Sequence, residues 1–223
     1  DGDDAADPRM YGRLLENALN HDADISHCGH QLVFPDGRVE YVHKSENLFT
    51  QDHNTGLQDL LDNRKVSLSL CTKLYRRELF AGLSEWMDPT IKNNEDFMMN
   101  YYLFDRAQKS VFEGVCPYHY LLRKGSASYR GITEHYIFDP IRVRQTILDR
   151  CGAEMKDAVQ DALLRLCNQD QQILYLFFWR QWPQHHTPCA RLYATKIVIK
   201  RNKCYHHFFS YRRCVHKVQS VFF

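Results

Sequence analysis

Two short acidic clusters hold the residue types in this chain of 223 residues that could do chemistry. Asp1-Gly2-Asp3-Asp4 places carboxylates one residue apart. A Mg²⁺ or Mn²⁺ ion that also holds a diphosphate takes few protein ligands, mostly carboxylates, and keeps its other positions for water and phosphate oxygens. Asp1, Asp3 and Asp4 are candidate ligands of that kind, although the same four residues are also ordinary turn chemistry. A calcium loop of the EF-hand type is excluded by spacing, because Ala5, Ala6 and Gly12 stand where that loop needs Asp or Asn, Gly and Glu. The second cluster is Asn93-Asn94-Glu95-Asp96. A carboxylate there can serve as a general base that removes a proton from a hydroxyl, or can simply complement the dipole of a helix that starts at that point.

These clusters need elements to position them. Asp7-Pro8 followed by Met10, Leu14, Leu15, Ala18 and Leu19 reads as a helix with Asp7 as its cap, directly after the acidic loop. The segments 23–28 and 31–34 read as strands, and Pro35-Asp36-Gly37-Arg38 as a turn into a further strand over 39–42. Thr55 to Leu61 reads as a short helix, and Ser67 to Tyr75 as a buried strand ending in the Arg76–Phe80 turn. Asn94 is positioned to cap a helix with Glu95 and Asp96 in its first turn and Phe97, Asn100, Tyr101 and Phe104 on its buried face. Segments 111–115 and 118–123 read as two more strands, and from Thr133 the spacing becomes helical.

Composition bounds the class. With 44% hydrophobic and 25% charged residues the chain can bury a core, which excludes a disordered protein. The net charge of +2 hides an asymmetry: no acidic residue follows Asp170, and nine Lys or Arg lie between Arg180 and Lys217. Removing that +9 from the net +2 leaves −7 for residues 1–170, so the two parts suit different surroundings. The eight cysteines include no C-x-x-C pair and read as reduced thiols, as in a cytoplasmic protein. The most apolar run, Ile173 to Trp179, is too short to span a bilayer. His185, His186, Cys189, Cys204, His206, His207, Cys214 and His216 match no standard zinc-finger spacing.

Several segments together, in order, resemble the inverting glycosyltransferases of family 2. Asp1-Gly2-Asp3-Asp4 with Pro8 and a helix is similar to their metal-binding motif, and Ala23-Asp24-Ile25 to the next strand. Lys73 to Phe80 resembles the segment ahead of the acceptor site, and Asn94-Glu95-Asp96 the Glu-Asp motif that supplies the base. Tyr118-His119-Tyr120 with Arg123, Gly125, Ser126 and Ser128 is similar to the pattern that closes the catalytic part.

The resemblance implies an α/β fold: residues 1–131 as the C-terminal, metal- and acceptor-binding part of a GT-A (Rossmann-like) catalytic domain, and 132–223 as a helical, basic, aromatic-rich appendage. It lacks that family's N-terminal nucleotide-binding half, so the chain alone is expected to be short of most of a donor site. The implied activity is transfer of a sugar from a nucleotide-sugar donor to a hydroxyl of a glycan or lipid-linked acceptor, with inversion. Asp96 is the implied base, and Glu95 orients the loop or touches the acceptor. Mn²⁺ or Mg²⁺ would sit on Asp1, Asp3 and Asp4, and Lys73, Arg76, Arg123 and Ser126 are candidate donor or acceptor contacts. Trp179-Arg180-Gln181-Trp182 does not reproduce the processive Q-x-x-R-W motif, so transfer is expected to be non-processive. The basic, aromatic C-terminal region suits peripheral contact with an anionic membrane on its cytoplasmic face, and no nucleic-acid motif accompanies it. The rival reading is a non-catalytic glycan- or protein-binding remnant of such an enzyme.

Overall fold

The computed structural model describes residues 4–63, 65–123 and 133–167, which belong to one compact unit, Asp1–Phe177. In chain order the elements are β1 (Ala5–Ala6), α1 (Met10–His21), β2 (Ile25–Val33), β3 (Val39–Val42), β4 (Leu48–Asp52), α2 (His53–Asp62), β5 (Lys73–Tyr75), a 3₁₀ turn (Arg77–Phe80), α3 (Leu83–Trp86), α4 (Glu95–Arg106), β6 (Lys109–Leu121) and α5 (Glu134–Arg150). A second 3₁₀ turn (Ala153–Met155) leads into helical residues 156–167.

β2 and β6 run parallel at the centre of a mixed six-stranded sheet. On the free edge of β2, β5 pairs antiparallel with its first half and β3 with its second. On the free edge of β6, β4 and then β1 do the same. Ile25, Ser26, His27 and Cys28 are all buried, as expected where a central strand is covered on both faces. The main core is built by Leu57, Leu60 and Leu61 of α2, Phe97, Met98, Tyr101, Leu103 and Phe104 of α4, and Val143 and Ile147 of α5. Full burial of side chains of this size is worth roughly 1.5–3 kcal/mol each. A smaller cluster of Met10, Leu14, Cys28 and Tyr118 seats α1 on the sheet. Helix α5, which lies beyond the boundary expected near residue 131, thus contributes to the same core as α4.

Several elements differ from the sequence expectation. The two strands expected over 23–34 are one strand, β2. Those expected over 111–123 are also one, β6, which carries three extra residues opposite the step from Cys28 to His30. Gly114 in this bulge admits a close approach: a Cβ there would lie 2.1–2.7 Å from atoms of Ser45, whose amide donates to the Gly114 carbonyl at 2.9 Å. Helix α1 begins at Met10, with Asp7 accepting from the Arg9 amide at 2.9 Å just outside it. Residues 67–72 form a loop, and only Lys73–Tyr75 pair as strand. β4 had no counterpart in the sequence expectation.

Candidate active site

Helix α4 presents its first turn, Glu95 and Asp96, beside the loop 67–72. Asn94 does not cap the helix with its side chain; it adopts a left-handed conformation (φ 65°), which Asn tolerates better than other non-glycine residues. Its side-chain oxygen instead accepts from Arg144 at 3.3 Å. Glu95 points outward and is exposed, whereas Asp96 is half-buried.

The loop that faces Asp96 is shaped by two buried polar groups. Asn100, fully buried one turn after Asp96, donates to the carbonyls of Leu68 (2.7 Å) and Asp96 (2.9 Å) and accepts from the Tyr75 hydroxyl (2.7 Å). Lys73, only 4% exposed, gives its ammonium to the carbonyls of Ser67 (2.7 Å) and Ser69. Together they turn the Leu70 amide toward Asp96, whose Oδ2 accepts it at a long 3.4 Å. Oδ1 of Asp96 accepts no hydrogen bond from any described residue. Burial raises the Asp96 pKa above the usual carboxylate value; the Leu70 amide and the Lys73 charge oppose this, and Glu95 reinforces it. Burial draws Lys73 down to about 7, against the neighbouring Cys28, Asp96 and Cys71.

The same loop ties this corner to the N-terminal acidic cluster. Tyr118 of β6 donates to Asp4 Oδ2 at 2.7 Å and also meets the Cys71 thiol, next to Leu70. Burial, Cys71 and Asp4 all push its ionisation upward. Asp4 Oδ1 accepts from the Leu121 amide at 2.9 Å, so β6 fixes both oxygens of Asp4 at its carboxyl end. The stretch Asp4–Tyr118–Cys71–Leu70–Asp96 is therefore continuous, on the side toward which the parallel pair β2–β6 runs, where α/β sheets place their ligands.

The remaining candidates are distributed differently. Lys73 is buried beneath the loop and acts on its backbone. Arg76 pairs with Asp24 (2.8 Å) and Asp22 (3.4 Å) at the opposite end of β2. Arg123 is exposed just past β6, in a shallow groove with Val33, Phe34 and Leu122. Asp1, Asp3 and Ser126, like the basic C-terminal region, lie outside the described residues. Asn100 was expected on the buried face of its helix, and is buried, but was given no role in the site, and Cys71 was not singled out; a polar residue four positions after Asp96 on an otherwise apolar helix face was the available signal for the role of Asn100. Among the described residues no group of three or more His, Cys, Asp or Glu side chains is arranged to hold a metal ion, and no helix is long and apolar enough to cross a membrane. Among the described residues, Cys28, Cys71, Cys116, Cys151 and Cys167 form no disulfide.

The fold, a mixed α/β sheet with a parallel central pair, matches that of solved glycosyltransferase structures. No protein-family model matches the sequence, and no curated protein matches it. Among solved structures it is similar to the glycosyltransferase TarS of S. aureus, residues 1–349. In complex with UDP-GlcNAc, the TM-score is 0.55 at 17% identity, over 77% of this chain and 47% of that one. In complex with UDP, the TM-score is 0.53 at 15% identity, over 82% and 49%. The chain thus spans about half the length of the TarS structures it matches.

Proposed function

We propose that this chain is the acceptor-side part of a metal-dependent, inverting glycosyltransferase, related in kind to family 2. It would move a sugar, without processivity, from a nucleotide-sugar donor to a hydroxyl of a glycan or lipid-linked acceptor. The observation that carries this reading is Asp96: a half-buried carboxylate at the head of a helix, with one long hydrogen bond, an Oδ1 that accepts none from any described residue, and its proton affinity raised by burial. Such a group takes a proton more readily than a solvated aspartate, and a positioned base of this kind contributes roughly 10²–10⁴-fold. The likeness to TarS bound to UDP-GlcNAc and to UDP supports a nucleotide-sugar donor.

In the proposed reaction the acceptor hydroxyl attacks the anomeric carbon as Asp96 removes its proton, and the nucleoside diphosphate departs from the opposite face. Glu95, on the exposed side of the same turn, contacts or orients the acceptor. Asp4 has the donor chemistry for Mn²⁺ or Mg²⁺: a hard carboxylate held in place by Tyr118 and the Leu121 amide, with a second lone pair left on each oxygen. With Asp1 and Asp3 it would hold such an ion, which when bound supplies positive charge to the departing diphosphate. The basic, aromatic C-terminal region is proposed to make any contact with an anionic membrane. The alternative reading is a non-catalytic glycan- or protein-binding remnant of such an enzyme. Release of UDP and transfer of sugar from UDP-GlcNAc, measured with the native protein in Mn²⁺ and with its Asp96→Asn variant, separate the two. Transfer lost in the variant supports the enzyme; transfer absent from both, across a panel of nucleotide sugars, supports the remnant.

A further inference from the structure

The loop that leads into Asp96 is gripped from outside by α5. Asp139, with a side chain only 2% exposed, turns from α5 into this loop. Its Oδ2 accepts the consecutive amides of Lys92 (2.7 Å) and Asn93 (3.2 Å) and Nδ1 of His135 (2.9 Å). Its Oδ1 accepts from Arg142 at 3.2 Å. Burial alone would raise this carboxyl, but the Lys92 amide, His135 and Arg142 hold it below the usual range, so it stays ionised. Arg142 continues to Asp88 (3.1 Å) and to the Thr90 hydroxyl (2.7 Å). Arg144 reaches the Asn94 side chain at 3.3 Å and lies over the Phe97 ring, 4.5 Å from its centroid.

The grip falls on a place that needs one. Asn94 has a positive φ, a conformation that Asn tolerates but does not dictate, so the contacts around it decide whether the turn keeps this shape. Once Asn94 is set, the first helical hydrogen bond, from the Met98 amide to the Asn94 carbonyl (3.1 Å), fixes the direction of the turn that carries Asp96. Lys73 shapes the facing loop and Asn100 joins that loop to the Asp96 carbonyl, whereas the approach to the turn, residues 92–94, is held by α5.

We infer that Asp139, assisted by Arg142 and Arg144, is the positioning group for the catalytic base: α5 fixes the turn at Asn94 from which Asp96 is aimed. This rests on the reading of Asp96 as the base. A helix beyond the expected catalytic segment is then part of the catalytic apparatus.

The test follows the Asp96 carboxyl carbon by ¹³C NMR titration in the native protein, in Asp139→Asn and in Arg142→Ala, with thermal melts to establish folding. Transfer from UDP-GlcNAc is measured in parallel. The Asp96 midpoint should lie above the ordinary value of about 3.9 and fall toward it by about half a pH unit or more in Asp139→Asn, as water reaches the loosened turn. kcat should drop about 10- to 100-fold while the donor KM stays within about twofold, the pattern of a misplaced reacting group. Arg142→Ala should move both readouts in the same direction by less, and it decides the matter if Asp139→Asn does not fold. Folded variants with the native Asp96 midpoint and native kcat overturn the inference. An Asp96→Asn variant that keeps transfer, with the midpoint still shifted by Asp139→Asn, instead overturns the base assignment and with it the positioning role.

Discussion

Asp96 and Asp139 are both aspartates on helices, both withdrawn from water, and both attached to the same turn, yet they behave oppositely. Asp139 is met by two backbone amides, a histidine and an arginine, and its pKa is lowered. Asp96 is met by one amide at 3.4 Å, and its pKa is raised. Burial is common to the two; the number of donors brought to the carboxylate is not. A carboxylate satisfied on every side becomes a structural clamp, and one left short of donors keeps its appetite for a proton.

The contrast can be broken most forcefully at Asp96. Asp96→Asn should lower transfer by about 10²–10⁴-fold while leaving the thermal midpoint unchanged or higher. The sign follows from the raised pKa: the ionised form is disfavoured in the fold, so stability linked to this group is full at low pH and is lost as pH rises through the folded value. Removing the charge removes that loss at neutral pH. A variant with both lower activity and a markedly lower melting point would make Asp96 a second clamp.

Asp139→Ala should do the reverse to stability, leaving two amides without an acceptor and costing about 3 kcal/mol in urea unfolding. Its depressed pKa means that the contribution is present above the ordinary carboxylate value and disappears as pH falls through the folded one. Acid reaches the fold earlier by another route. Burial pulls His27 down to about 3, helped by the Lys73 charge, and His30 down to about 4, helped by His43. Both are neutral in the fold and take up protons on unfolding. Stability should therefore fall below pH 6.5 by up to about 1.4 kcal/mol per pH unit for each histidine, until the folded values are passed. A flat urea midpoint between pH 6.5 and 5 would contradict this. The smallest effect belongs to Arg76, whose half-exposed pair with Asp24 should cost at most about 1 kcal/mol when replaced in Arg76→Met, with transfer unchanged. A large loss of donor affinity in that variant would instead make Arg76 a substrate contact.

What was legible in the sequence was what depends on local pattern. The apolar spacing of Phe97, Tyr101 and Phe104 after two acidic residues identified α4 and the carboxylates at its head, and Thr133 marked the start of α5, where its side chain caps the helix through the Tyr136 amide. What was not legible depends on distant partners. Ser67-Leu68-Ser69-Leu70 alternates like a strand, but Lys73 and Asn100 draw its carbonyls inward and leave it as a loop. Gly114 and Pro117 look like strand breakers, whereas β6 absorbs them in its bulge. Asp139, beside Pro140 in a helical stretch, looks like a surface residue, and only the arrival of Lys92 and Asn93 from 47 and 46 positions away shows otherwise.

The bulge in β6 also works as a spacer of fixed length. Before it, the strand is in step with β2 as far as Cys28 and Glu113; after it, the step resumes at His30 and Tyr118. Because side chains alternate between sheet faces, lengthening or shortening the stretch between Gly114 and Pro117 by one residue would turn Tyr118 to the other face and take it away from Asp4. The length of an irregular segment, more than the identity of any residue in it, thus keeps the two acidic corners of the molecule within reach of each other.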